Sequence, residues 1–288
     1  MPDNLEPTPP PSEPSEQSPH PPYPPPQEAF LVLMISLVAA LIAGVALVKI
    51  EKIGVVLTEV LFLVPPLIYL RRKGYNLFTG LRWNRISVSV IFASLLIGLS
   101  LTVLLDEVDR LIAMFFPMPE ELQNNLLGFL TLETWSDYLL AGLGVVAAAA
   151  ICEESLFRGF IQVSLEAHGP VTRAVLFSSL LFAMAHFNPW WMVQILILGV
   201  FLGFLSWRSN SSIPGMFIHG INNGLALYSG GSLTGGPWVW YNMGEHVSPM
   251  ILIAALALLF LGMKLFVKWT DESAPIPLES ESLGAGGP

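Results

Sequence analysis

Apolar runs separated by short polar segments make up most of the chain between residues 29 and 267. An α-helix needs about 20 consecutive apolar residues to cross roughly 30 Å of hydrocarbon. Six runs come close to that length, at residues 29–48, 53–70, 86–105, 190–207, 213–228 and 250–267. The pattern predicts an all-α, polytopic membrane protein.

Two further segments are also helix-compatible, although polar residues interrupt them. The first covers residues 136–166, with Ser136 as a candidate N-cap and His168, Gly169 and Pro170 as the stop. The second covers residues 171–187 and ends before Asn188 and Pro189. Together with the six clear runs, they predict about eight transmembrane helices.

The composition agrees with a chain that lies mainly in lipid. Of the 288 residues, 53% are hydrophobic and only 12% are charged, and the mean hydropathy is +0.63. The net charge of −9 comes from the two ends, because residues 1–28 and 271–288 hold nine acids and no Lys or Arg. No basic cluster indicates a nucleic-acid partner.

Twelve of the 24 prolines fall within residues 1–27, which have too little apolar content to form a core. We predict a disordered, Pro-rich acidic tail there. The complete division is a tail at 1–27, transmembrane helices and a long external loop at 28–135, a core with three polar motifs at 136–230, an external loop and last helix at 231–270, and a second acidic tail at 271–288.

Loop charges give the expected orientation, since cytoplasmic loops are enriched in Lys and Arg. With both termini in the cytoplasm, three basic residues lie outside: Lys49, Lys52 and Arg110. Ten lie inside: Arg71, Arg72, Lys73, Arg82, Arg85, Arg158, Arg173, Arg208, Lys264 and Lys268. This bias predicts an integral, multi-pass membrane protein, located in the plasma membrane if the source is bacterial. The loop at 106–137 would be external and in part an interfacial helix.

A small set of polar side chains interrupts the predicted spans: Glu59, Glu153, Glu154, Arg158, His186, Gln194, His219, Asn222 and Asn223. Placing an ionisable side chain inside the bilayer costs free energy, so such side chains usually face the interior of the helix bundle and often belong to a functional site. Glu154 and Arg158 are four residues apart and can pair on one helix face, whereas Glu153 is rotated by about 100°. For Glu59 we favour a structural or interfacial role, and for Asn222 and Gln194 helix-helix hydrogen bonds.

Three motifs lie in order on separate apolar helices. They are E-E-x-x-x-R at Glu153, Glu154 and Arg158, F-x-x-x-H at Phe182 and His186, and H-x-x-x-N at His219 and Asn223. Over residues 138–228 the chain resembles the CAAX prenyl proteases of the Ras-converting type, the CPBP family, and in particular its bacterial members. These are intramembrane glutamic or metallo-endopeptidases.

The resemblance implies roles for these residues. Glu153 and His186 would activate a water molecule, and His219 and Asn223 would stabilise the oxyanion, supported by Glu154, Arg158 and Phe182. The residue types suit these roles, because a carboxylate and an imidazole can accept a proton and an amide can donate to an alkoxide.

The metal dependence of the site remains open at this point. Glu153, His186 and His219 would form a two-histidine, one-carboxylate set that could hold zinc with an open fourth position. We favour a mechanism without a cofactor, because the chain has no H-E-x-x-H and no second carboxylate placed as an obvious ligand.

The expected function is hydrolysis of peptide bonds in membrane-anchored or lipidated protein or peptide substrates, within the lipid bilayer. Two alternatives remain. One is a non-proteolytic scaffold or bacteriocin-immunity-type protein of the same family. The other is a transporter that uses Glu153 and Glu154 as proton carriers.

Overall fold

The structure of the protein is a computed structural model, which describes residues 23–130, 132–228 and 240–270. The first half contains α1 (Pro26–Leu47), a 3-10 turn (Val48–Ile50), α2 (Glu51–Lys73), α3 (Leu77–Gly80), α4 (Val88–Phe115), α5 (Glu120–Leu130) and α6 (Trp135–Ala141). The second half contains a π segment (Gly142–Ala148), α7 (Ala149–Glu154), a second π segment (Ser155–Ile161), α8 (Gln162–Ala167), α9 (Val171–Ala185), α10 (Met192–Ser209), α11 (Ile213–Tyr228), β1 (Asn242–Met243), β2 (His246–Val247) and α12 (Pro249–Trp269).

The prediction of an all-α polytopic membrane protein is confirmed. In the described residues, six helical segments are long and apolar enough to cross a membrane: Pro26–Ile50, Lys52–Lys73, Val88–Phe115, Trp135–Ala167, Met192–Ser209 and Pro249–Trp269. The other two predicted spans are also helical, as α9 and α11, but these helices have only 15 and 16 residues. The total of eight spans therefore stays a prediction.

The segment Trp135–Ala167 is one long helix whose winding changes twice. It begins after Thr134, not at Ser136, because Thr134 and Asp137 form a reciprocal capping box. Two π segments then enclose the six residues of α7, which carry both glutamates. Such wide turns are rare in helices and often occur at functional sites. The acidic pair is therefore held in a short α-helical piece between two local changes of register.

Two apolar clusters hold the helices together. The first joins α1 and α2 to the second half of the long helix, through residues such as Leu33, Leu70 and Phe157. The second joins α4, α10, α11 and α12, through residues such as Ile97 and Leu202. The long helix and α11, which carry most of the candidate site, thus each pack against a different group of helices.

Gly159 lies at the closest approach between the long helix and the loop after α3. A Cβ at this position would overlap the backbone carbonyl of Leu81, which cannot rotate away. We expect Gly159→Ala to lower the free energy of unfolding by about 1–3 kcal/mol or more. Gly44→Ala is the matched control, since nothing lies within 4 Å of the added carbon and alanine favours a helix.

The comparison can be made by titrating both purified variants with SDS in detergent micelles and following helix content. If Gly159→Ala and wild type unfold at the same SDS concentration, the close approach between Gly159 and the Leu81 carbonyl is contradicted.

The predicted tail and the predicted external loop are both shorter in the structure than the sequence suggested. Tyr23 is buried with Val163 and Ala167, and α1 begins at Pro26, so the end of the predicted tail belongs to the fold. Burial raises the pKa of the Tyr23 hydroxyl. Helix α4 continues to Phe115, ten residues past its predicted end at 105. Helix α5 lies where an interfacial helix was expected. Residues 1–22 and 271–288 lie outside the described residues.

Three basic residues assigned to loops are in fact buried inside the protein. Arg82 is 1% exposed and donates two hydrogen bonds to Glu166, of 2.9 and 2.8 Å. Arg158 and Arg110 are also buried. Their charges are balanced by nearby carboxylates, so these three residues no longer count in the loop-charge comparison.

Candidate active site

Three helices bring the candidate residues together. Glu153 and Glu154 lie at the end of α7, and His186 is the residue that follows α9. His219 and Asn223 lie one turn apart on α11, which contacts α7 directly. All the candidate residues are therefore near one another, although they come from segments up to 70 positions apart.

Glu153 faces both histidines. Its Oε2 atom is 3.9 Å from Nε2 of His186 and 4.0 Å from Nε2 of His219. This oxygen is buried and has no hydrogen-bond partner in the described residues. The separations are too long for direct hydrogen bonds, and they suit polar groups that share a small molecule between them.

Glu154 has a different environment from its neighbour. It is fully buried, and its Oε1 atom accepts from Arg158 Nη1 at 2.9 Å and from His219 Nδ1 at 3.0 Å. The ion pair with Arg158 is the one that the i,i+4 spacing predicts. Glu154 therefore links the π segment to α11, while Glu153 faces the opposite side of His219.

Phe182 forms the aromatic wall of the site. Its ring centroid is 4.9 Å from that of His186 and 5.7 Å from that of His219, in edge-on geometry. The guanidinium carbon of Arg158 lies 4.1 Å from the same centroid, in a cation-π contact. One side chain thus contacts both imidazoles and the buried arginine.

The hydrogen bonds of the histidines fix which ring nitrogen carries hydrogen. Nδ1 of His186 lies 2.9 Å from the backbone carbonyl of Phe182, which can only accept. Nδ1 of His219 faces the Glu154 carboxylate, which accepts when ionised. In the neutral form of either histidine, Nε2 is then an unprotonated acceptor that points towards Glu153.

Asn223 lies beside these groups, and one of its two amide hydrogens is already used in a hydrogen bond. Its Nδ2 atom donates to the Val145 carbonyl, in the first π segment, at 2.9 Å. The amide carries a second hydrogen that this bond does not use. The bond also ties α11 to the long helix next to the candidate site.

These side chains line a cavity of about 360 Å³, a volume within the range of small-ligand sites. Its walls include Glu153, Phe182, His186, His219, Asn222 and Asn223. Apolar residues such as Val55, Leu105, Ile195 and Leu198 form much of the remaining surface. The candidate residues thus form a polar centre in a chamber whose walls are largely apolar.

The comparison with known proteins agrees with this arrangement. Residues 135–225 match the model of a family described as type II CAAX prenyl endopeptidase Rce1-like. This segment is similar to the Rce1-like family, and the match covers 91 of the 288 residues. No curated protein and no solved structure matched the chain. The Rce1-like segment contains all three motifs, so the similarity to an endopeptidase family lies in the part of the chain that forms the candidate site.

The cavity extends beyond the Rce1-like segment. Glu59 from α2 and Asp106 and Asp109 from α4 also line it. Glu59 stood out in the sequence as an acid in an apolar span, but a structural or interfacial role was expected. The two aspartates were assigned to an external loop. Gln194 also lines the cavity and donates to Asp109 at 3.1 Å, in line with the helix-helix bond expected of it.

The three residues that could hold zinc, Glu153, His186 and His219, can be compared with the geometry of known zinc sites. Two ligands of a tetrahedral zinc ion, each about 2.0–2.2 Å from the metal, lie about 3.3 Å apart. Glu153 Oε2 lies 3.9 and 4.0 Å from the two Nε2 atoms, which is wider. Within residues 23–130, 132–228 and 240–270, no group of three His, Cys, Asp or Glu is arranged to hold a metal ion.

Proposed function

We propose that the protein is an intramembrane endopeptidase, which hydrolyses peptide bonds in membrane-associated or lipidated protein or peptide substrates. The observation that carries the proposal is the position of Glu153 Oε2. This buried oxygen has no hydrogen-bond partner among the described residues and faces Nε2 of both His186 and His219. A water molecule between these three atoms would be held by one carboxylate and two imidazoles. The match of residues 135–225 to the Rce1-like endopeptidase model supports peptide-bond hydrolysis as the reaction.

In this mechanism Glu153 takes a proton from the water while the water oxygen attacks the scissile carbonyl. His186 holds the water through its unprotonated Nε2, then takes at that atom the proton that Glu153 removed and passes it to the leaving amine, which leaves Glu153 ionised again. The Phe182 carbonyl keeps Nδ1–H of His186 engaged and so maintains that tautomer. The water thus supplies both the nucleophile and the proton that the leaving group needs.

The oxyanion would form on the side of His219 and Asn223. Because Nδ1–H of His219 is bound to Glu154, its Nε2 can donate only when the ring is an imidazolium. Glu154 carries the charge that stabilises this form, so its role is to position and charge His219. The second amide hydrogen of Asn223 would supply the other donor.

The apolar chamber and its helices favour a substrate that is itself in the membrane. A lipid chain or a hydrophobic peptide segment would bury its apolar surface against residues such as Leu105 and Leu198. With both termini in the cytoplasm, as the loop charges favour, the surrounding membrane would be the plasma membrane in a bacterial cell.

The proposal is tested with purified protein in liposomes and a mixed set of membrane-anchored and lipidated peptides. New peptide ends are detected by mass spectrometry, and cleavage in water labelled with oxygen-18 identifies hydrolysis. We expect cleavage by wild type and none by Glu153→Ala or His186→Ala. Equal cleavage by wild type and by either variant would exclude this mechanism.

We also propose that the water is activated without a metal, as the wide spacing around Glu153 Oε2 supports. Proteoliposomes treated with a strong zinc chelator and then dialysed should retain cleavage within about twofold of the untreated rate. Loss of cleavage that returns on addition of zinc would contradict this part of the mechanism. A soluble zinc protease treated in parallel shows that the chelator is effective.

A further inference from the structure

Glu59 is the acid in the cavity that the proposed mechanism does not use. It lies within the apolar span Lys52–Lys73, one turn after Val55, and both residues line the cavity. A carboxylate at such a position is costly unless it is paired or hydrated. Within the described part of the chain, no side chain or backbone group forms a hydrogen bond or an ion pair with Glu59.

The other acids of the cavity have partners. Asp106 forms an ion pair with Arg110 at 2.9 Å and accepts from the Tyr241 hydroxyl at 3.0 Å. Burial raises the pKa of Tyr241, so this hydroxyl stays a neutral donor. Asp109 accepts from Gln194, and Glu153 faces two imidazoles. Glu59 is therefore the cavity acid for which the described residues provide no hydrogen-bond donor, no cation and no imidazole.

The cavity as a whole is also short of positive charge. No lysine or arginine is among the described residues that line it. Glu59 and Glu153 line the same cavity, and in a cavity of low dielectric constant each negative charge makes it costlier for the other carboxyl to ionise. A cation that entered between them would be attracted to both carboxylates.

We infer that Glu59 is a specificity determinant, which binds a cationic group of the substrate close to the bond that Glu153 hydrolyses. The ligand is an ammonium or guanidinium group, from a Lys or Arg side chain or from a free peptide N-terminus. The substrate class is then a membrane-associated peptide with a basic group near its cleavage site. This inference rests on the proposed endopeptidase function and adds the chemical character of its substrate.

The test uses the full-length protein in liposomes and lipidated peptides that differ at one position. That position is scanned along the peptide and carries Lys, Arg, Gln or norleucine, and each peptide is made with a free and an acetylated N-terminus. The paired forms separate a side-chain cation from a terminal one. A hydrogen-bonded charge pair predicts at least about a tenfold preference of wild type for the cationic form, measured as kcat/KM.

Glu59→Gln, which keeps the shape but removes the charge, should abolish this preference by raising KM for the cationic peptide. Its KM for the norleucine peptide should stay close to that of wild type, because this peptide offers no cation to Glu59. Glu59→Asp should retain the preference. The matched control is Glu28→Gln, which removes one charge from the contact between Glu28 and Lys73, on a residue that does not line the cavity.

Binding of the same peptides is measured in parallel by fluorescence, so that the two proposals can fail separately. If no peptide is cleaved but Lys peptides bind more tightly to wild type than to Glu59→Gln, the endopeptidase function fails and the cation site stands. If Lys and norleucine peptides bind and react equally in wild type, the inference is wrong. It is also wrong if Glu59→Gln weakens both peptides equally.

Discussion

Glu153→Gln is expected to lower kcat by about a thousandfold, with little change in helix content. The amide has almost the same shape as the carboxylate, but it cannot accept the proton of the attacking water. General bases contribute roughly 10²- to 10⁴-fold to rate. The Oε2 atom of Glu153 faces both imidazoles, so few other groups could take over its role. The rate is measured on one lipidated peptide with the protein in liposomes.

Asp109→Asn is the matched control for the effect of Glu153→Gln on kcat. Asp109 lines the same cavity and also becomes an amide of nearly equal shape, but it contacts Gln194 and neither imidazole. We expect its kcat to stay within a few-fold of wild type. Similar losses in the two variants would mean that the cavity needs negative charge in general, and that Glu153 is not the base.

The helical architecture could be predicted from the sequence because the bilayer imposes its thickness on apolar runs. The segments at residues 29–48 and 250–267 have no other means of burying their apolar side chains, and both are helices. The pairing of Glu154 with Arg158 could also be predicted, since it depends only on spacing within one helix. Local geometry was enough for both predictions.

The far end of α4 could not be predicted in this way. Residues 106–110 hold four charged side chains, which is typical of a loop outside the membrane. The helix continues because its charges find partners: Asp106 pairs with Arg110, and Glu107 accepts from His246 and from the Val247 backbone. These contacts join α4 to a hairpin about 135 residues later, and nothing in the local sequence reveals them.

Which residues line the cavity depends on how helices that are distant in sequence pack against one another. Glu59 and Glu153 share it because α2 packs against the long helix with Val55 and Val56 next to Gly144. Arg82, which does lie in a loop, was counted as an exposed cytoplasmic charge for a similar reason, because its partner Glu166 lies 84 positions later. The three motifs predicted which residues belong to the candidate site, but the remaining walls follow from tertiary packing.

Arg158→Met is expected to lower the free energy of unfolding by about 3–5 kcal/mol, the cost of leaving a buried charge without its partner. Arg158 is fully buried, donates to Glu154 and to the Gly199 carbonyl, and lies over the Phe182 ring. Methionine would fill part of the space but leave the Glu154 carboxylate without its buried cation. Arg173→Met is the control, because Arg173 is exposed and surface changes usually cost less than about 0.5 kcal/mol.

Combining Arg158→Met with Glu154→Gln separates the charge effect from the loss of packing. Glutamine carries no charge and still presents an oxygen to Nδ1–H of His219, so the double variant contains no unpaired buried ion. Replacing a whole buried ion pair by neutral groups is often nearly neutral for stability. We therefore expect most of the lost stability to return in SDS titrations of the double variant. A double variant as unstable as Arg158→Met alone would mean that Arg158 stabilises the fold through its packing and its bond to Gly199, and not through the charge of Glu154.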